Sequence, residues 1–381
     1  MVLTAPPTAL WAIPVSDLAG VARHAVDVAR AGIPGWRLVF LTPPGDLPRE
    51  LRALGAAVLE APFGPEHGLR ASAGALRHAV AKARPQVVHT HLAYADLVAA
   101  GALVGKRPAL VTTEHGIARA DSVYHQSAAK ARVMAAAHTA RLRRFDAAIA
   151  VSDATADAMR EKWHVRGPIT VIPNGVDPVA GNSGFRDGRF ATSSTSEGDG
   201  HRATSSTAAT AVSGLRVLSL ARLAPEKRLD ALIDGFAELA RSHPEATLTL
   251  AGRGEEEGAL RAQVERLGLA DRVSLPGFVD AEAAMAEHDV LAMLSLWENC
   301  SYALLDAAAA GLGVVASPVG GNPEILPSSC LVEPSDSRRV AEALTQQGLK
   351  PELRPGLKGW PTVAQMGERI ATVYADVRTR S

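Results

Sequence analysis

The sequence predicts two α/β domains, each built on a doubly wound parallel sheet, that face each other across a cleft. Short apolar runs alternate with helical patterns along both halves of the chain, and a Ser/Thr/Gly-rich segment separates the halves. The chain has 381 residues, which is more than one hydrophobic core usually organises. We therefore expect two domains of roughly 150 to 200 residues each.

Apolar runs typical of buried strands recur in the first half of the chain. They lie at residues 37–42, 57–61, 86–90, 109–113, 147–152 and 170–173, and a first strand is predicted near Trp11 to Val15, interrupted by Pro14. Such runs, interleaved with helices, indicate a parallel sheet covered on both faces. The sequence thus predicts a Rossmann-like domain over residues 1–178.

Residues 179–214 are dominated by Ser, Thr, Gly and Ala and hold almost no bulky apolar residue. Such a segment cannot offset its ordering entropy, so we predict a flexible linker or insertion. The alternation then restarts, with predicted strands at 215–221, 246–251, 272–275, 290–294 and 314–317. A second Rossmann-like domain is predicted over 215–355. In residues 356–381, apolar residues recur at helical spacing, which predicts a terminal helix that packs back on the N-terminal domain.

Composition excludes several classes of protein. Lys plus Arg and Asp plus Glu number 40 each, so no net charge favours nucleic acid as a partner. Two cysteines, Cys300 and Cys330, are too few for a disulfide framework and fit a reducing cytoplasm. No run approaches the roughly 20 apolar residues needed to cross a bilayer. The location that we predict is cytoplasmic.

Residues 128–144 carry five basic residues among apolar ones. The segment could lie on an anionic membrane surface, as a peripheral contact at the inner face of the cell membrane. A solvated helix with one buried face is the favoured alternative, because alanine gives little membrane grip.

A candidate diphosphate site follows the predicted strand 215–221. The string ARLAPEKRLD places Arg222 and Lys227 five residues apart, around a Pro225–Glu226 step that suits the start of a helix. Two cations at a helix N-terminus would bind a pyrophosphate well. On its own the motif would be read as two solvated charges in a turn.

A second candidate site lies in the string LWENCSYALLDAAAAG, which follows another predicted strand. Glu298 and Asp306 are about two helical turns apart, so both carboxylates could address one elongated ligand. The backbone N–H groups of Asn299, Cys300 and Ser301 could contact phosphate or sugar oxygens at the helix start. The alternative is a capping arrangement with an Asp on the helix surface.

His89 and His91 form an H-x-H pair in VVHTHL. No further ligand set with metallohydrolase spacing follows, and the chain holds no Asp-x-Asp. We therefore interpret the pair as polar lining of the cleft and predict no metal site, with Arg222 and Lys227 neutralising the diphosphate instead.

The order of five strings resembles glycosyltransferase family 4, the retaining enzymes with a GT-B fold. They are VSDATADAMREKWHV, ITVIPNGVDP, ARLAPEKRLD, LTLAGRGEEEGALRAQVERLGLADRVSLPGFVD and the region around Glu298. The resemblance covers nearly the whole chain apart from the insertion. It implies transfer of a sugar from a nucleotide-diphosphate sugar to a hydroxyl acceptor, with no tightly bound cofactor and no required metal.

The resemblance also implies roles for individual residues. Arg222 and Lys227 would bind the donor diphosphate, Glu298 would face the transferred sugar, and Asp306 would hold the ribose hydroxyls. The residues after LPG, Phe278 and Val279, would contact the base. His115, in TTEHG, would lie near the sugar and reach the cleft from the N-terminal domain. Catalytic roles are thus expected for Glu298, His115, Arg222 and Lys227.

Three features depart from the family pattern. Asp306 stands where a Glu is usual, one methylene shorter. Asn299, Cys300 and Ser301 replace Gly-Phe-Gly, which would add side chains where backbone amides approach the donor. The N-terminal string DLAGVARH offers Gly20 where relatives often have two glycines, and Gly20 is our candidate for close approach to the donor phosphate or the acceptor. These departures leave open a non-catalytic sugar-nucleotide-binding protein; a nucleotide-sugar epimerase or a phosphorylase of the same fold is a further alternative.

Overall fold

The computed structural model describes residues 5–105, 108–117, 136–165, 167–177 and 214–379. Their strands form two separate parallel sheets; numbered along the chain with the bounds given in the next two sentences, they follow the orders β3-β2-β1-β4-β5-β6-β7 and β10-β9-β8-β11-β12. The first sheet contains β1 (Thr8–Ala12), β2 (Arg37–Thr42), β3 (Ala57–Glu60), β4 (Val87–His91), β5 (Ala109–Glu114), β6 (Ala147–Ala150) and β7 (Ile169–Val171). The second contains β8 (Arg216–Leu220), β9 (Thr247–Ala251), β10 (Val273–Gly277), β11 (Val290–Met293) and β12 (Gly313–Ala316).

Helices connect the strands in both sheets. Those of the first half are α1 (Gly20–Ala31), α2 (Asp46–Ala53), α3 (Gly68–Ala83), α4 (Leu92–Ala102) and α5 (Asp153–Trp163), and residues 136–142 are also helical. Those of the second half are α6 (Leu229–Ser242), α7 (Glu257–Arg266), α8 (Ala281–Glu287), α9 (Tyr302–Ala309), α10 (Asn322–Ile325), α11 (Ser337–Leu349) and α12 (Val363–Thr379). The predicted α/β class with two Rossmann-like domains is confirmed. The predicted linker at 179–214 falls almost wholly outside the described residues.

The first strand lies earlier than the sequence indicated. It occupies Thr8–Ala12, all of it buried, rather than the stretch from Trp11 to Val15. The N–H of Ile13 still donates to the carbonyl of Leu41, but Pro14 has no N–H and cannot extend the ladder. Pro14 therefore follows the strand instead of interrupting it.

The C-terminal helix α12 packs one face against the core of the first domain. Its residues Met366, Ile370 and Tyr374 are buried in the same apolar cluster as Trp11 of β1. The Tyr374 hydroxyl accepts from Trp11 Nε1 at 2.9 Å and lies 2.6 Å from His89 Nδ1. The end of the chain thus completes the domain in which the chain begins.

Loops from the two domains meet at the carboxyl ends of their strands. The loop after β5, residues 115–117, touches the loop after β11, because Asn299 Oδ1 accepts from the backbone N–H of Ile117 at 3.2 Å. In open α/β sheets ligands bind beyond the carboxyl ends of the strands. The loops that would carry a ligand site in each domain therefore face each other.

Candidate active site

Lys227 and Glu298 come together between the two loops that follow β8 and β11. Lys227 Nζ lies 2.5 Å from Glu298 Oε1, and the side chains are only 23% and 13% exposed. Lys227 ends a short 3₁₀ turn, Pro225–Lys227, directly before α6. Two motifs 71 residues apart in sequence thus place a cation and a carboxylate in direct contact. They can meet because each motif follows one of two neighbouring parallel strands, at the edge of the sheet where ligands bind.

Arg222 is the more open of the two predicted cations. Its guanidinium is 59% exposed, contacts Glu226 four residues on, and lies 3.6 Å from Glu255. An exposed pair of this kind contributes about 0–1 kcal/mol to stability. Arg222 is therefore able to exchange its carboxylate partner for an anionic ligand at little cost.

A glycine pair after β12 fixes the backbone at Glu298. Gly320 has φ +53, and a Cβ there would lie 1.7 Å from the Glu298 carbonyl oxygen. The N–H of Gly321 donates to that same oxygen at 3.1 Å, and a Cβ on Gly321 would lie 1.6 Å from the Asn299 carbonyl. Only residues without a side chain allow the two loops to approach this closely.

The side-chain oxygen of Asn299 is occupied by partners within the protein. Its Oδ1 accepts from Ile117 N at 3.2 Å, Thr155 Oγ1 at 3.0 Å and Trp297 Nε1 at 3.1 Å. Two of these donors belong to the first domain. The side chain therefore joins the domains, which is a function that the family comparison of Gly-Phe-Gly did not predict.

The next two residues, Cys300 and Ser301, lie directly before α9. The Cys300 side chain is buried beside Leu304 in the core of the second domain, where burial raises the pKa of its thiol to about 12. Ser301 precedes α9 and makes no side-chain capping bond. The expected crowding of the donor by the Cys300 side chain is thus wrong, because that side chain turns inward.

Asp306 lies on α9 and faces the first domain. Its two carboxylate oxygens are each 3.4 Å from a terminal nitrogen of Arg23 on α1. Burial raises the pKa of Asp306, and the Arg23 guanidinium opposes that rise. The carboxylate expected to hold ribose therefore takes part in a contact between the domains.

Phe278 and Val279 follow β10 in an exposed loop. Phe278 is 78% exposed, which is unusual for an aromatic side chain in a folded domain, and Val279 is 38% exposed. The Arg253 guanidinium lies 5.6 Å from the centroid of the Phe278 ring. The pair offers a flat, accessible face on which a base could stack.

His115 and Gly20 are contributed by the first domain. His115 follows β5, is partly exposed, and its Nε2 lies 2.9 Å from His91 Nδ1. Burial of the ring lowers the pKa of His115 well below its ordinary value, so the imidazole is neutral near pH 7. Gly20 is the exposed first residue of α1, and a Cβ there would meet no atom within 4 Å.

The His89–His91 pair does not line the cleft as the sequence indicated. His89 is fully buried, with its ring nitrogens 2.6 Å from the Tyr374 hydroxyl and 2.7 Å from Thr113 Oγ1. His91 is also fully buried and contacts His115. His89 is a core residue because α12, from the far end of the chain, covers it.

Two residues that sequence reasoning missed also connect the domains. Glu324 of α10 accepts from the backbone N–H groups of Asp153 and Ala154 at 2.9 Å each, at the start of α5. Asn174 donates to the Cys300 carbonyl at 2.8 Å. The N–H groups at the start of a helix need acceptors, but the local sequence does not indicate an acceptor 171 residues away.

The basic segment 128–144 is described only from residue 136 onward. Within that part Arg141 is buried, where it contacts Asp96 and Glu114, so it cannot face a membrane. Burial raises the pKa of Glu114 to about 8, and a backbone hydrogen bond from Gly116 opposes that rise. Among the described residues, no helix is both long and apolar enough to cross a bilayer.

Two family profiles match the chain. "Glycosyltransferase Family 4" covers residues 18–179, and "Glycosyl transferases group 1" covers residues 214–347. One subunit of the human phosphatidylinositol N-acetylglucosaminyltransferase is 32% identical over 126 residues, which are 32% of this chain and 26% of that protein. Mannosylfructose-phosphate synthase from Agrobacterium fabrum is 36% identical over 119 residues, 28% of this chain and 26% of that protein. The matched part is thus about a quarter of the length of these curated relatives.

Solved structures resemble the chain over nearly its whole length. HepE from Anabaena in complex with UDP has a TM-score of 0.69 and 21% identity, and covers 98% of both chains. Sucrose-phosphate synthase from Thermosynechococcus elongatus has a TM-score of 0.67 and 19% identity, with 98% of this chain and 97% of that chain covered. At such identities the likeness establishes a shared two-domain fold.

Proposed function

Because this chain is a glycosyltransferase of the family 4 type with the GT-B fold, we propose that it moves a sugar from a nucleotide-diphosphate sugar to a hydroxyl acceptor. The observation that carries the proposal is the contact between Lys227 and Glu298, on loops that touch the loop of His115 through Asn299. These contacts support a site in which a cation, a carboxylate and a neutral imidazole act on one donor.

Arg222 and Lys227 hold the donor diphosphate in this proposal. Negative charge builds on the leaving diphosphate as the glycosidic bond breaks, and fixed cations stabilise that charge. Lys227 is held in place by Glu298, and Arg222 can release Glu226 at low cost. These two side chains serve in place of a metal ion.

The remaining site residues divide along the donor. Phe278 and Val279 form the face for the base, Asp306 addresses the ribose after exchanging Arg23, and Glu298 faces the transferred sugar. The N–H groups of Asn299 and Ser301 and the backbone of Cys300 lie at the start of α9, where its dipole favours the anionic donor. Gly20 leaves open space at the start of α1 for the diphosphate or the acceptor.

The acceptor hydroxyl attacks the same face of the sugar that the diphosphate leaves, so the anomeric configuration is retained. An oxygen of the leaving phosphate takes the acceptor proton, and the transition state is oxocarbenium-like. Contact between the domains excludes water and limits hydrolysis of the donor. His115 is neutral and can donate a hydrogen bond to the sugar.

The experiment pairs Arg222→Ala and Lys227→Ala with the control Arg241→Ala, which removes an exposed arginine of α6 that pairs with nearby Glu238. The substrates are UDP- and GDP-linked sugars, because relatives include a UDP-N-acetylglucosamine-dependent and a GDP-mannose-dependent transferase. Both site variants should lose about 10²-fold or more in kcat/KM, and Arg241→Ala should not. Near-normal transfer in both site variants would overturn the proposal.

Product analysis separates the alternatives. NMR of the product should show the same anomeric configuration as in the donor. The donor should be consumed only when an acceptor is present. Conversion of the donor sugar without an acceptor would instead indicate an epimerase. Calorimetric binding of a nucleotide sugar without transfer across the acceptor panel would indicate a non-catalytic binding protein.

A further inference from the structure

Three imidazoles from separate parts of the chain converge beneath the loop that follows β5. His24 lies on α1, His91 ends β4, and His115 follows β5. One ring nitrogen from each lies within 4.8 Å of the others. Their ring centroids are 4.9 Å apart for His24 and His115, 5.2 Å for His91 and His115, and 5.6 Å for His24 and His91. The spacing of these residues in sequence gave no sign of this cluster.

The tautomer of His24 follows from its neighbour Asn174. The amide nitrogen of Asn174 donates to the Cys300 carbonyl, so its Oδ1 must accept from His24 Nδ1, 3.2 Å away. A neutral His24 ring then presents Nε2 as a bare lone pair. Metal-binding histidines are usually oriented in this way, with the other ring N–H donated to a carbonyl or carboxylate.

Two nitrogens of the cluster are buried without a partner. His24 Nε2 and His91 Nε2 make no hydrogen bond within the described part of the chain. Leaving a buried polar atom unsatisfied costs about 1–3 kcal/mol, so two such atoms in adjacent rings require an explanation. An ion held by the cluster would give His24 Nε2, the ring nitrogen that does not contact Asn174, the partner that it lacks.

The donor set of the cluster suits a transition-metal ion. Each of the three residues offers one imidazole nitrogen as a ligand atom. Imidazole ligands select zinc, copper or nickel rather than magnesium or calcium.

We propose that His24, His91 and His115 form a binding site for a divalent transition-metal ion of the zinc class. Zinc–nitrogen bonds of about 2.0–2.1 Å place tetrahedral ligands about 3.4 Å apart, so the rings close inward by about 1 Å on binding. The partly exposed His115 provides the entry path from the cleft and leaves the fourth position open to solvent. Binding of the ion is measured without substrate, so a failure of this proposal and a failure of the proposed sugar transfer are distinguishable.

The test uses the full chain, stripped of metal by dialysis against EDTA and titrated with Zn²⁺ by calorimetry and with Co²⁺ by visible absorption. We expect one ion per chain and the strong d–d bands of tetrahedral Co²⁺. His115→Ala is the primary variant, since its partly exposed ring can be removed without opening the core. It should raise the Kd by more than about tenfold, because even the loss of an outer partner costs that much.

Two further variants complete the test. Asn174→Ala removes the partner that orients His24 without removing a ligand, and should raise the Kd by about 10–100-fold. His78→Ala removes an exposed histidine of α3 and should leave the Kd unchanged. Absence of stoichiometric binding, octahedral Co²⁺ spectra, or an unchanged Kd in His115→Ala would each overturn the proposal.

Discussion

The Lys227 ammonium lies 2.5 Å from the Glu298 carboxylate, and this contact joins the loops after β8 and β11. The pair is mostly buried, so each partner is costly to leave alone. When a diphosphate approaches Lys227, the carboxylate must share that cation or turn toward the sugar. The two side chains are thus coupled through any donor that binds.

Glu298→Gln should separate binding of the diphosphate from transfer of the sugar. The amide keeps the shape of the side chain but no longer neutralises Lys227, so a nucleoside diphosphate should bind at least as tightly as before. Transfer should fall by about 10²-fold, because the carboxylate that we propose to face the sugar is lost. Calorimetry with UDP or GDP and initial-rate kinetics measure the two effects.

The control for this variant is Glu226→Gln, which releases Arg222 in the same manner without touching the sugar-facing carboxylate. It should leave kcat within a few-fold of the native value. Equal losses in kcat for the two variants would show that Glu298 acts only as a counter-ion.

Local sequence was enough to predict most of the strands and to place Lys227 and Glu298 in segments that follow strands. Apolar runs identify buried strands, and the residues that follow parallel strands collect at one edge of the sheet. The side-chain directions of Asn299 and Cys300 could not be predicted in this way. Asn299 depends on Ile117, 182 residues distant, and contacts at such separations leave no local pattern.

The histidines illustrate the same limit. From their H-x-H spacing we interpreted His89 and His91 as a pair with one role. In the structure, Tyr374 of α12 contacts His89, whereas His24 of α1 lies beside His91. Which face each ring meets depends on elements at both ends of the chain. The sequence therefore could not show that these two residues have different surroundings.

Asn299→Ala should weaken the connection between the domains. It removes the acceptor of three donors and leaves the buried N–H of Ile117 unsatisfied, a loss of about 1–3 kcal/mol in the free energy of unfolding. Thermal and urea unfolding would measure the loss. Asn299→Asp is the matched control, because its carboxylate can accept from the same three donors; it should retain more of the stability, and an equal loss in both variants would contradict this account.

Gly320→Ala should disturb the backbone that carries Glu298. The added methyl would lie 1.7 Å from the Glu298 carbonyl oxygen, so the loop must move. We expect a loss of stability of more than about 2 kcal/mol, together with reduced transfer.

The control Gly359→Ala separates backbone strain from the clash. Gly359 also has a positive φ (+82), but a Cβ added there would meet no atom within 4 Å. It should lose only about 1–2 kcal/mol and keep normal kcat; similar kinetics in the two variants would show that the position of Glu298 does not depend on Gly320.

Stability should fall as the pH is lowered below about 6.5, because the buried histidines take up protons when the chain unfolds and this uptake favours the unfolded state. The pKa of His24 is about 4 in the folded chain, against 6.5 for an ordinary histidine. Between these values the unfolded state binds more protons than the folded state, so His24 stabilises the fold fully above pH 6.5 and loses that effect toward pH 4. Its contribution to the slope of unfolding free energy against pH approaches about 1.4 kcal/mol per pH unit within this window.

Urea unfolding in EDTA at pH 7, 6 and 5 measures this slope. It should be shallower for His24→Asn than for the native chain, whereas the exposed control His78→Asn should match the native slope. Equal slopes in all three proteins would show that His24 is not held neutral in the fold.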